Sequence, residues 1–121
     1  AMQVSGTDYP TPDGTCIRDY IHVSDLIAAH MAALSYLQKG GASCLANCGY
    51  GHGASVRDVL DVVASVAGQP LDVTDAPRRP GDAAVLVADS TKLRSALGWA
   101  PRYDDLHQIV SDALTWERNN S

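Results

Sequence analysis

Apolar residues recur at helical spacing in four stretches of the chain, and short continuous apolar runs lie between them. Leu26, Ile27, His30, Leu34 and Leu37 mark the core-facing side of a helix running to about Lys39, with Ser24 and Asp25 as N-caps and Gly40-Gly41 as its stop. Val59, Leu60, Val63 and Val66 form the stripe of a second helix to about Ala67, capped by Ser55 with Asp58 in its first turn and ended by Gly68 and Pro70. A brief helix from Thr91 to Leu97 stops at Gly98, and a last one begins near Asp104, with Leu106, Ile109, Val110, Ala113 and Leu114 on one face. Tyr20 to Val23, Cys44 to Cys48, Leu71 to Thr74 and Val85 to Ala88 read as short strands. Residues 3–17 and 77–82, rich in Thr, Asp, Gly and Pro, read as loops. The pattern predicts one α/β domain over residues 1–121, about four helices with short strands, without repeats or low-complexity tracts.

Composition narrows the class of partner. With 121 residues, 45% of them hydrophobic and 19% charged, the chain has enough apolar surface for one compact domain. A formal net charge of −5 argues against nucleic acid or an anionic membrane as partner, so any anion must be gripped locally. The chain has neither a long apolar run nor the order of a secretory signal, which points to the cytoplasm. Cys16, Cys44 and Cys48 are odd in number and lack C-x-x-C spacing, so reduced, buried, structural thiols are expected. His22, His30, His52 and His107 do not complete a metal-ligand spacing with them, so no metal site is expected.

Three patterns could carry chemistry. Gly49-x-Gly51-x-x-Ala54, between an expected strand and a helix and followed by Asp72, has the outline of a dinucleotide fingerprint. The favoured reading is a tight strand-to-helix turn, because a dinucleotide fold needs two nucleotide-binding halves that this chain cannot hold beside its other elements. Acid–base or nucleophilic catalysis finds no support: Gly-x-Ser-x-Gly is absent, and His22 and His30 sit at apolar positions where a hydrogen-bonded core histidine is expected. The third pattern is the pair of arginines Arg18 and Arg79, each beside turn-forming residues, with Asp82 after Pro80-Gly81. Guanidinium forks suit phosphate oxygens, and a carboxylate can accept hydrogen bonds from two ribose hydroxyls, a complete set for a nucleoside diphosphate. The competing reading pairs Arg18 with Asp19 or Asp25 and leaves Arg78 and Arg79 in a solvated loop.

The run Asp8-Tyr9-Pro10-Thr11-x-Asp13-Gly14-Thr15-x-x-Arg18-Asp19-Tyr20-Ile21-His22-Val23-x-Asp25-Leu26 closely resembles the UDP-glucose 4-epimerase family of the extended short-chain dehydrogenase/reductases. Ala76-Pro77-Arg78-Arg79-x-Gly81-Asp82 and Ala88-Asp89-x-x-Lys92 match it in the same order. The resemblance implies that Arg18 and Arg79 hold the pyrophosphate of a UDP-sugar and that Asp82 holds its ribose. It also implies that Ser5 stands near the uracil, where the family commonly has an aromatic residue, and that Leu86 borders the hexose.

By the same resemblance, the family's chemistry uses NAD on an N-terminal Rossmann domain and a Tyr-x-x-x-Lys pair. Here Tyr9, Tyr20, Tyr36, Tyr50 and Tyr103 are followed four positions later by Asp13, Ser24, Gly40, Ala54 and His107, so no such pair can form. The chain therefore reads as the C-terminal, UDP-sugar-binding portion of an epimerase. It carries no catalytic or cofactor-binding residue and is expected to be inactive by itself and to associate through exposed apolar surface as a homodimer. A nucleotide-sugar dehydratase or decarboxylase, or a stand-alone binding module, are the alternatives.

Overall fold

The structure is a computed structural model and describes residues 2–120. Its elements are β1 (Met2–Ser5), β2 (Ile17–Arg18), α1 (Val23–Gln38), β3 (Ala54–Ser55), α2 (Val56–Ala67), β4 (Val73–Ala76), β5 (Val85–Leu86), α3 (Thr91–Leu97) and α4 (Leu106–Asn120). The α/β class with four helices and short strands is as the sequence pattern predicts. The strands make two small sheets. β1 pairs with β4 in parallel, Met2 opposite Val73 and Ser5 opposite Ala76. β2 is central in the other sheet, antiparallel to β3 and parallel to β5, which sets Arg18 opposite Ala54 on one side and Leu86 on the other.

The helices follow their local signals. Ser55 and Asp58 close a reciprocal capping box at the start of α2, the Ser55 hydroxyl accepting from the Asp58 amide and the Asp58 carboxylate from the Ser55 amide. Gly68 ends α2 in the left-handed conformation, φ 73°, which a side chain would resist. α2 packs on α4 and α1 on α3. The core is small: Ala29, Tyr50, Leu93 and Trp99, with Ile21, Ala32, Cys48, Leu97 and Ile109 against them.

Several expectations need correction. The opening of the 3–17 loop is strand β1 and its end is β2, because each finds a partner strand more than sixty residues away. Tyr20 to Val23 is not a strand. His22 caps α1 through its own ring, in place of Ser24 or Asp25, and Asp25 is buried in the first turn. Cys44 to Cys48 forms no strand, and Cys44 and Leu45 are exposed. The strand expected at Leu71 to Thr74 lies two residues later, and the one at Val85 to Ala88 ends at Leu86.

The largest departure concerns α1. Leu26, Ile27, His30, Leu34 and Leu37 have the spacing of a core face, yet all are exposed, while the small Ala29 is what packs inward. His30 is correspondingly not a core histidine; its Nδ1 meets only the Leu26 carbonyl of its own helix, at 2.9 Å. Of the three free cysteines, only Cys16 is fully buried.

Candidate functional site

The pairing of β2 with β5 draws the two sequence motifs together. The Arg18 guanidinium donates from Nη1 to the carbonyls of Ile17 and Ala83, both at 2.9 Å, and so reaches the end of the 77–84 loop. It pairs with neither Asp19 nor Asp25, contrary to that half of the competing reading, whereas the other half holds: Arg78 and Arg79 stand in an exposed loop. Within the loop, Arg79 Nε donates to Asp82 Oδ2 at 3.0 Å; the Arg79 side chain is 72% exposed and that of Asp82 only 21%. Arg78 turns the other way, donating to the Asp8 carboxylate at 2.8 Å and to the Asp8 carbonyl at 2.7 Å, with its guanidinium 4.3 Å from the centre of the Tyr9 ring. Ser5 lies opposite Ala76 at the start of the loop, and Leu86 opposite Arg18 just past its end, 61% exposed. Arg79, Asp82 and Leu86 lie within the segment 76–86, and strand pairing brings Ser5 to its first residue and Arg18 to its last.

The glycine-rich turn behind this segment holds an anion of the chain's own. The Asp19 carboxylate accepts from the amides of Tyr50 (2.9 Å), Gly51 (3.0 Å) and Ala88 (3.3 Å). A Cβ on Gly49 would stand 2.6 Å from Asp19 Oδ2 and 2.6 Å from the Ala88 methyl, so only glycine allows the approach. The amides that a dinucleotide pyrophosphate would use are thus taken, and Asp72 lies before β4, with its carbonyl bonded to the Met2 amide. These residues do not fit NAD.

A second carboxylate organises the floor. Asp25, 1% exposed, accepts from the Tyr50 hydroxyl at 2.6 Å and from the amides of Arg102 and Tyr103, both at 2.9 Å, while its carbonyl accepts from the Trp99 indole at 2.9 Å. Burial by itself raises the Asp25 pKa, but the Tyr50 hydroxyl, the two amides and nearby His22 outweigh it and hold the group below the usual carboxylate range. Burial and the adjacent carboxylate push the Tyr50 phenol well above its ordinary value.

His22, 5% exposed, is equally committed. Its Nδ1 accepts from the Ser24 amide at 2.9 Å and its Nε2 meets Asp112 at 2.7 Å, so the ring ties α1 to α4 and has no lone pair left for chemistry. Asp13 closes the loop before β2, accepting from the Thr15 amide and hydroxyl and from Ser55; these bonds lower its pKa against the opposing effect of burial.

Comparison with known proteins agrees with the motifs. No protein-family model matches the chain. A UDP-glucose 4-epimerase of Azospirillum brasilense is 56% identical over 118 residues, covering 98% of this chain and 34% of that protein. A solved UDP-glucose 4-epimerase superposes with a TM-score of 0.92 at 48% identity, over 98% of this chain and 36% of the other. The chain corresponds to the C-terminal third of the UDP-glucose 4-epimerase family. A further epimerase structure, from Bifidobacterium longum in complex with NAD+ and UDP, is 41% identical with a TM-score of 0.89, over 98% of this chain and 35% of that one. The chain thus spans about a third of the length of the epimerases it matches.

Two residues of this epimerase segment escape a reading by residue type. Asp19 and Asp25 stand in the opening motif, yet their partners are mostly backbone amides, which leave no signature in the sequence. The one available signal was local: an acid directly after the phosphate-type arginine, and another three residues past a helix-capping histidine.

Proposed function

We propose that this chain is the UDP-sugar-binding domain, residues 1–121, of an enzyme that interconverts UDP-glucose and UDP-galactose through a 4-keto intermediate. The observation that carries this reading is the pairing of β2 with β5, which sets Arg18 opposite Leu86 and against the Ala83 carbonyl, at the end of the loop that holds the Arg79–Asp82 pair. Arg79 and Asp82 neutralise each other in an exposed pair, an interaction worth little in water. A diphosphate offers the guanidinium a stronger, charge-assisted partner. Once Arg79 turns to it, the Asp82 carboxylate is released to accept from the ribose hydroxyls. Arg18 supplies the second guanidinium from β2. Ser5 stands at the base end and Leu86 at the hexose end. Holding the part that does not react positions the part that does.

Hydride exchange belongs to NAD and a tyrosine–lysine pair on an N-terminal Rossmann domain, outside the residues described. The exposed face of α1 and the unpaired 42–49 segment are where that domain packs. Supporting this, the accessible surface of 7811 Å² exceeds the roughly 6,300 Å² of a folded monomer of this mass. The excess is about what two domains bury between them. The isolated chain is inactive, and the same apolar face makes it a homodimer in solution. The free thiols, one of them exposed, suit a cytoplasmic compartment.

Titration of UDP into the purified chain tests the reading. Binding is expected, and Arg79→Ala should weaken it by about 2 kcal/mol without changing the unfolding midpoint. Absent binding, or equal affinity in the variant, contradicts it.

A further inference from the structure

Arg18 and Asp19 are neighbours that take hold of one strand at its two ends. Arg18 donates to the carbonyl of Ala83, just before β5, and Asp19 accepts from the amide of Ala88, just after it. Between those anchors lies Leu86, which is exposed, and before them lie Arg79 and Asp82. Asp19 also grips Tyr50 and Gly51, which belong to the rigid core side of the molecule through Tyr50. The far end of the 83–88 segment is therefore referenced to the core through one carboxylate, and the near end through one guanidinium.

We propose that Asp19 is a positioning residue for the hexose end of the substrate site. It sets where the backbone of residues 86–88 stands, while Arg18 and the Arg79–Asp82 pair set the diphosphate end. This rests on the UDP-sugar reading above. Asp19→Asn keeps the size of the side chain but replaces one acceptor oxygen with an NH2 group, which must face backbone N–H donors on at least one side. The anchored end then shifts while Arg18 still holds the other. Gly49→Ala reaches the same result differently: the carboxylate survives but must yield to a methyl group that would otherwise lie 2.6 Å away.

The test compares UDP with UDP-glucose, by calorimetric titration into the wild-type chain and both variants. The expected result is UDP affinity within about twofold of wild type and UDP-glucose affinity reduced about tenfold, in both variants. A purely structural role would weaken the two ligands alike, and that outcome overturns the proposal. So does an unchanged preference, or a wild-type chain that binds UDP and UDP-glucose equally. Failure of the wild-type chain to bind UDP at all sinks the UDP-sugar reading itself and is recognisable as such before any variant is made. Loss of native circular dichroism in both variants shows a carboxylate that holds the fold rather than the site, and overturns the proposal as well.

Discussion

Around β2, the carboxylates of Asp13, Asp19 and Asp25 each accept three hydrogen bonds, and apart from the two that Thr15 gives Asp13 the donors lie 25 to 78 residues away in the sequence. Along α1, Ile27, Met31, Leu34 and Leu37 leave about half of their surface in water, and beyond the helix Leu45 is 85% exposed. The two regions adjoin in sequence, the first within the opening motif and the second directly after it. The first is completed within the chain; the second presents apolar side chains without a cover. The contrast separates a region held by hydrogen bonds within the chain from a helix face left in water, which the proposed N-terminal domain would cover.

Breaking the first region should cost most at Asp25. Asp25→Ala takes the charged acceptor away from the amides of Arg102 and Tyr103 and from the Tyr50 hydroxyl, which keeps only the His22 amide and a 3.3 Å approach to the Tyr103 carbonyl. Chemical denaturation is expected to show a loss of about 3–5 kcal/mol. A loss below about 1 kcal/mol would show that water satisfies those groups and that the network is not what joins α1 to residues 102–103. The same network has a pH signature. Asp25 and Asp13 titrate below their unfolded values, so their contribution is complete above the unfolded carboxylate pKa, near 3.9, and is lost as pH falls through the lower folded values. Thermal scans should therefore show stability falling below about pH 4, and Asp25→Asn should flatten that fall.

A smaller effect is expected at Ser55. Ser55→Ala removes the cap of α2 together with a partner of Asp13, for about 1–2 kcal/mol by the same denaturation measurement. The other region should respond in the reverse sense. Leu34→Glu on the open face of α1 is expected to change stability by no more than about 0.5 kcal/mol while reducing self-association in sedimentation velocity. A large destabilisation there would mean that the face is already covered within the chain.

What could be read in the sequence divides along similar lines. The capping box at Ser55 and Asp58, the extent of α3 and the glycine that ends α2 were legible, because each depends on residues within one turn. β1 was not, since its Thr- and Gly-bearing surroundings look like a loop and its strand character comes from β4, some seventy residues on. α1 is the instructive case: periodicity marks an apolar face correctly but says nothing about what packs on it. For the site, the two motifs are legible as arginine and aspartate positions, while the β2–β5 pairing that brings Arg18 to the end of the loop holding Arg79 and Asp82 is not. The roles of Asp19 and Asp25 were hidden, because their partners are main-chain amides that every residue carries.

The occupied glycine turn has a consequence for any attempt to detect or engineer nucleotide binding in this part of the molecule. A carboxylate attached to the chain directly after β2 competes with free anions at an effective concentration set by its tether. Soluble phosphate or dinucleotide is therefore displaced by the protein's own side chain before it can settle there. Soaking or docking into the segment that most resembles a dinucleotide grip should accordingly come up empty, while the exposed Arg79–Asp82 pair is where the proposed function places the ligand.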